Sequence, residues 1–262
     1  VLARFAAEYT IAYPLLADLG GHVIELFGVL NHNIVPNERQ AAGIPFPGHF
    51  LVDAHGRVLA KSFTGDLRHR ASGTALVAET FDTYDGPRAV IETDELRAVV
   101  ELSTGRLFGG QEVSVRVELD VAPGWHVYGT EVASPYHPLG VDFDTDSELV
   151  ASSALAWPAA TDARFDALDI TLPVHDGRVK ATGRLRLRWS PPPSIFSGLD
   201  DAVRRRAIPP GTYPITCAFR YQACTDDLCT EPRRIQFTLP IDVAATVVAT
   251  PPGLLPTQPE EP

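Results

Sequence analysis

The feature that most constrains this chain is a change of hydrophobic period near Pro87. In residues 112–120 the apolar Val113, Val115, Val117 and Leu119 alternate with Glu112, Ser114, Arg116, Glu118 and Asp120. Successive side chains of a strand leave opposite sides of the pleat, so this pattern predicts strands with one face buried and one in water. The same alternation recurs at Leu168, Ile170 and Leu172, at Leu185, Leu187 and Trp189, and at Ile235, Phe237 and Leu239. Short strands of this kind, punctuated by Gly, Pro and Asp, predict an antiparallel β-sandwich.

Before Pro87 the reading is α/β. Leu2, Phe5, Ala6 and Tyr9 fall at helical spacing, and a short strand with Ile11 and Tyr13 follows. After Gly20-Gly21, the residues Val23, Ile24, Phe27 and Leu30 form the apolar stripe of a second helix. Residues 49–52 and 57–63 read as strands joined by Asp53-Ala54-His55-Gly56, a turn in which Gly supplies the backbone freedom of the reversal. A last helix is expected over 71–81. The organisation expected is an α/β domain over 1–84, an all-β domain over 85–246 and a Pro-rich tail over 247–262. Residues 191–210 read as a loop insertion, with a short helix capped by Ser197 and running through Ala202, Val203 and Arg206.

Composition narrows the function. The net charge of −11 over 262 residues argues against nucleic acid, whose phosphates need a clustered basic surface. No stretch approaches the roughly 18 apolar residues of a membrane span. The chain opens on Val1-Leu2-Ala3 and contains no Met, which reads as a fragment whose export signal, if any, lies upstream. None of the eight His sits at i, i+4 spacing with a Glu in the manner of zinc hydrolases, so no metal or other cofactor is expected. Arg184, Arg186 and Arg188 read as the wet face of a strand.

Three cysteines leave at least one unpaired within the chain. Cys217 shares a strand face with Phe219 and Tyr221 and reads as a small buried apolar residue. Cys224 and Cys229 flank Thr225-Asp226-Asp227-Leu228, a tight turn between two strands. Such a turn can bring the two Cα atoms within disulfide range. Spacing leaves three readings open: a reversible redox pair, a permanent staple, and two unrelated thiols. Zinc is disfavoured because a second ligand pair is missing. Asp226 and Asp227 disfavour a thiolate nearby, while Arg220, Arg233 and Arg234 are placed to offset them, so a modest thiol pKa is expected.

The run Tyr221-Gln222-Ala223-Cys224, then Leu228-Cys229, Glu231-Pro232 and the strand Phe237-Thr238-Leu239-Pro240, resembles the amino-terminal periplasmic domain of the DsbD thiol–disulfide interchange family. Pro123-Gly124-Trp125-His126-Val127-Tyr128 and Leu172-Pro173-Val174 add to the resemblance, which covers about residues 95–244. It implies an immunoglobulin-like sandwich in an extracytoplasmic, periplasmic setting, whose disulfide is reduced by a membrane partner and then reduces thioredoxin-fold proteins through a mixed disulfide. By the same resemblance Cys229 forms the mixed disulfide and Cys224 resolves it. Phe165 stands where the family has a cap over the disulfide, and Tyr128 matches a Tyr packed near the cysteines.

Tyr13-Pro14-Leu15-Leu16-Ala17-Asp18, Phe27-Gly28-Val29, residues 45–53, Gly56-Arg57-Val58 and Arg68-His69-Arg70-Ala71-Ser72 resemble the later part of an AhpC/TSA redoxin, a thioredoxin-like fold, over about residues 1–80. Pro47, or else Pro45, would then be the cis-proline that faces the reactive Cys of that family. No Cys precedes Cys217. The function expected is thiol–disulfide exchange through Cys224–Cys229. The alternatives are a peroxiredoxin-like antioxidant or disulfide reductase whose Cys lies upstream, and a non-enzymatic protein-binding sandwich with a structural disulfide.

Overall fold

The computed structural model describes residues 2–8, 12–33, 44–65, 70–144, 149–165, 169–188 and 208–244. The amino-terminal part holds two short helices, α1 (Leu2–Glu8) and α2 (His22–Leu26), and a hairpin of β1 (Gly48–Val52) and β2 (Val58–Phe63). The Asp18 carboxylate opens α2 by accepting from the Ile24 and Val23 backbone N–H groups at 2.8 and 3.1 Å. The hairpin turn is the one expected: Asp53 Oδ1 accepts from the His55 and Arg57 backbone N–H groups, and Gly56 takes φ 77°. Tyr13 lies in a bend rather than a strand, because Pro14 behind it can donate no ladder hydrogen bond. Ile11 lies outside the described residues.

The hairpin stands as a two-stranded sheet that pairs with no third strand among the described residues. One expectation for this part is corrected. Pro47 and Pro45 follow trans bonds; the cis bond among the described residues is Ser134–Pro135. Pro47 leads straight into extended β1, and trans is the form an X–Pro bond prefers by about 0.5–1 kcal/mol when nothing selects cis.

The next elements, β3 (Arg70–Ala71) and α3 (Gly73–Phe81), join the β-rich part. That part begins with β4 (Arg88–Glu92), β5 (Leu96–Leu102), β6 (Arg106–Leu107) and β7 (Gln111–Val121). β3 runs parallel to the start of β7, and α3 is capped by Ser72, whose hydroxyl accepts from the Ala75 N–H at 3.1 Å. Ala75, Leu76 and Ala78 are buried as the helix lies on the sheet.

The remaining strands are β8 (His126–Tyr128), β9 (Gly140–Phe143), β10 (Val150–Ala156), β11 (Thr161–Phe165), β12 (Ile170–His175), β13 (Arg178–Leu187), β14 (Gly211–Tyr221), β15 (Ala223–Cys224) and β16 (Arg233–Val243). One antiparallel path runs β10-β13-β7-β5-β4, a second sheet is ordered β6-β16-β14-β9, antiparallel except for the parallel β6–β16 pair, and a third antiparallel sheet runs β11-β12-β8-β15. In β7, Val113, Val115, Val117, Leu119 and Val121 are buried, as the alternation requires. With Leu185 and Leu187 of β13, the first three of these pack on Ile215, Cys217, Leu239 and Ile241 of β14 and β16. Each such side chain contributes about 1.5–3 kcal/mol by leaving water, which makes this the dominant core of a β-sandwich.

The arginine stripe of β13 is wet only in part. Arg184 pairs with Glu79 of α3 at 2.9 Å and with Glu112, and Arg186 pairs with Glu112. The Arg184 guanidinium therefore clamps α3 to the sheet, while Arg186 ties β13 to β7. Trp189, Leu168, the helix expected after Ser197 and the tail after 247 lie outside the described residues.

Candidate functional site

The site is built at the end of β14, where the chain passes through Gln222 into β15, turns, and returns along β16. Cys224 and Cys229 are joined by a disulfide across this turn, with Cα atoms 4.0 Å apart. Thr225 organises the reversal: its N–H donates to the Leu228 carbonyl at 2.7 Å, and its hydroxyl accepts from the Leu228 and Asp227 N–H groups at 3.1 and 3.3 Å. Thr230 closes the neck, its N–H donating to the Ala223 carbonyl at 2.8 Å.

The two sulfurs have different surroundings. Cys224 is wholly buried because β15 pairs with β8 in the third sheet, whereas Cys229 sits on the exposed side of the turn beside exposed Leu228. An attacking thiol therefore meets Cys229 first. Behind the bond, the Tyr128 hydroxyl lies 3.1 Å from Cys224 Sγ and 3.5 Å from Cys229 Sγ. Disulfide sulfur carries no hydrogen, so this hydroxyl is the donor, and burial pushes its pKa up and keeps it protonated.

Tyr128 reaches the sulfurs because β8 alternates. Val127 faces a second core cluster with Ala223, Phe219 and Tyr221, while Tyr128 joins Cys224, Phe165, Val174 and Val132 in a separate one. Phe165, at the end of β11, is almost fully buried, with its ring 6.3 Å from Tyr128 and edge-on to His126 at 5.0 Å. It shields the Cys224 side of the bond and leaves Cys229 open. The structure thus gathers Cys224, Cys229, Tyr128 and Phe165 into one place. Pro47 lines a different cavity, with Phe46, Phe63 and Ala71.

The arginines expected to offset Asp226 and Asp227 are engaged elsewhere. Arg233 donates to buried Glu95 at 2.8 Å, Arg220 donates to Asp142 at 2.8 Å, and Arg234 also pairs with Asp142. Strand alternation carries these side chains to carboxylates on β9 and before β5, not forward to the turn. Cys217 is free and buried, and burial alone pushes its thiol up to about 12, which removes it from thiolate chemistry at neutral pH.

Sequence reasoning missed three neighbours. Tyr136 packs edge-on against Tyr128 at 5.1 Å, Gln222 ties the neck through Thr230 and accepts from the His137 N–H, and His126 lies on the Cys224 face. Only His126 carried a signal, since it stands two residues before Tyr128 and strand period places both on one face. Among the described residues no group of three His, Cys, Asp or Glu side chains is placed to hold a metal ion.

Comparison with known proteins divides the chain. The AhpC/TSA family matches residues 1–61, a stretch with no cysteine. No curated protein matches. Among solved structures, the N-terminal periplasmic domain of ScsB from Proteus mirabilis is 13% identical, with a TM-score of 0.40 over 61% of this chain and 52% of that chain. The GAE domain of yeast GGA1 is 10% identical, with a TM-score of 0.29 over 58% of this chain and 97% of its own. A family 123 glycoside hydrolase from Clostridium perfringens is 12% identical, with a TM-score of 0.25 over 54% of this chain and 22% of its own. The ScsB likeness spans about half the length of that domain. Likenesses of this order, spread over proteins of such different kinds, assign no chemistry to the site.

Proposed function

We propose that this protein is a thiol–disulfide exchange protein that works through the Cys224–Cys229 pair. The observation that carries the reading is the asymmetry of the pair: an exposed Cys229 joined to a buried Cys224, with the Tyr128 hydroxyl within hydrogen-bond reach of both sulfurs. A permanent staple has no need of a donor aimed at its sulfurs. A leaving thiolate does.

In the forward step a thiolate of a thioredoxin-fold dithiol protein attacks Cys229 Sγ. The Cys224–Cys229 bond breaks, its electron pair leaves on Cys224, and the Tyr128 O–H donates to the thiolate so formed. The second thiolate of that partner then attacks the mixed disulfide and releases Cys229. The partner is left oxidised and the pair reduced by two electrons. Run in reverse, the reduced pair delivers the same two electrons to an oxidised thioredoxin-fold protein. The site is proposed to work outside the cytoplasm, where disulfides persist, on an immunoglobulin-like sandwich. The first residues are proposed to be thioredoxin-like, in keeping with the AhpC/TSA match. Peroxidase chemistry is not assigned to them, because the first cysteine of this chain is Cys217.

Trapping tests the reading. Cys224→Ser leaves Cys229 as a lone exposed thiol and should accumulate a mixed disulfide with an oxidised thioredoxin-fold protein. Cys229→Ser should accumulate none. Equal trapping by both variants, or by neither, contradicts the assignment of Cys229 as the attacked and attacking sulfur.

A further inference from the structure

We propose that His126 holds the proton of the cysteine pair: it takes the proton of the Cys224 thiol when that sulfur attacks a Cys229 mixed disulfide, and returns it when Cys224 leaves. This rests on the thiol-exchange reading and extends it to the proton.

The β8–β15 register sets His126 directly opposite Cys224. Opposed residues of an antiparallel pair hold their Cβ atoms about 4.5–5.5 Å apart on one face, a span that an imidazole covers. Tyr128, two residues along the same face, has its hydroxyl on the Cys224 sulfur. The Phe165 ring packs edge-on against His126 and keeps water from this side. Within this enclosure His126 Nε2 is buried and has no hydrogen-bond partner. Buried polar atoms are rarely left so, and an orphaned imidazole nitrogen on the strand face of a sulfur that gains and loses a proton in every cycle has a chemical use.

The surroundings keep the ring neutral and ready to accept. Burial lowers the His126 pKa, against the opposing pull of Asp226 in the turn and Asp176 beyond β12. It also stands opposite Cys224 of β15, on the face of Tyr128 of its own strand, and packs against the uncharged Phe165 ring of β11. His175 supplies an internal contrast. Its Nε2 is likewise buried and unpartnered, yet its register partner is Val127, on the other face of the sheet from the sulfurs.

The step balances. Cys224–SH attacks Cys229 Sγ in Cys229–S–S–R, the proton passes to His126, and the Cys224–Cys229 bond forms. The electron pair of the broken bond leaves on the sulfur of R, which takes up a proton and departs as RSH. His126 then gives its proton to solvent.

The test uses the full chain with glutathione disulfide as the probe, which forms the mixed disulfide at Cys229 of the reduced protein and leaves Cys224 to resolve it. The resolution rate is followed across the titration range of imidazole and thiol for wild type, His126→Phe, His126→Asn and His175→Phe. Both His126 variants should resolve more slowly at neutral pH by on the order of 10²-fold, the low end of what a positioned acid–base group supplies. Their pH profiles should lose the imidazole limb, and His175→Phe should keep it. In unaltered protein, NMR titration of the His126 ring should give a higher midpoint with the pair reduced than with it oxidised, since a nearby thiolate favours imidazolium. An unchanged rate and profile in both His126 variants overturns the inference, as does a His126 midpoint equal in the two redox states. A wild-type pair that never exchanges with glutathione disulfide defeats the thiol-exchange reading itself, and the inference with it.

Discussion

Residues 12–63 and residues 88–244 draw on similar apolar side chains and put them to different use. In the first region Leu16, Leu19 and Leu26 are 90%, 88% and 83% exposed, and α2 buries none of its residues. In the second, Val113, Leu185 and Leu187 are wholly buried. A five-residue helix and a two-stranded hairpin have no surface broad enough to cover an apolar stripe, whereas stacked sheets cover each other. The chemistry divides in the same way. The region matched by the redoxin family has no thiol, and the cysteines lie where the core is closed and can hold one sulfur buried and its partner open.

This contrast can be broken at several points. The largest effect is on activity: Cys229→Ser should abolish exchange altogether, while Cys217→Ser, at a buried thiol outside the pair, should leave it intact. Loss of exchange in Cys217→Ser would move the chemistry away from the turn. On stability, Leu185→Ala in the closed core should cost about 2–5 kcal/mol in denaturant unfolding, the range for large-to-small core changes. Leu16→Ala should stay within about 0.5 kcal/mol, as surface changes do. Equal costs would mean that Leu16 is covered.

Where the two regions meet, α3 offers a smaller probe. Ser72→Ala removes the hydroxyl that caps the helix and should cost about 1 kcal/mol. The smallest effect is a pH dependence at the same seam. Burial raises the pKa of Glu79, but hydrogen bonds from Arg184 and Ser114 outweigh it and hold the carboxylate below its ordinary 4.5. A depressed carboxylate stabilises the fold above its unfolded pKa and loses that contribution as pH falls through the folded value. Acidification below about 4.5 should therefore loosen α3 in wild type, and Glu79→Gln should flatten that part of the stability profile. An unchanged profile in Glu79→Gln would show that the clamp carries nothing.

Much of the sandwich was legible because period-two alternation is a local signal with one structural meaning. β7, β13 and β16 follow from Val113-x-Val115-x-Val117, Leu185-x-Leu187 and Ile235-x-Phe237-x-Leu239. The Asp53–Gly56 hairpin was legible for the same reason, since its turn chemistry is written in four adjacent residues. The destination of Arg184 was not, because its partner Glu79 lies 105 residues away and nothing local announces it. At the site, the Cys224–Cys229 spacing pointed to the turn, while Tyr128 and Phe165 entered only through a family resemblance. Burial of one sulfur and exposure of the other depend on β8 lying beside β15, a long-range pairing with no sequence signature. His126 was readable as the face-mate of Tyr128, but its meaning required knowing which residue stands opposite.

The most direct test of the central claim is the reduction potential of the Cys224–Cys229 pair, measured by equilibrating the full chain with glutathione buffers of graded ratio. Thiol–disulfide exchange predicts a potential above the roughly −300 mV below which structural disulfides lie. A bond that stays oxidised in the most reducing of these buffers, with a potential below that value, would make the pair a staple and contradict the account.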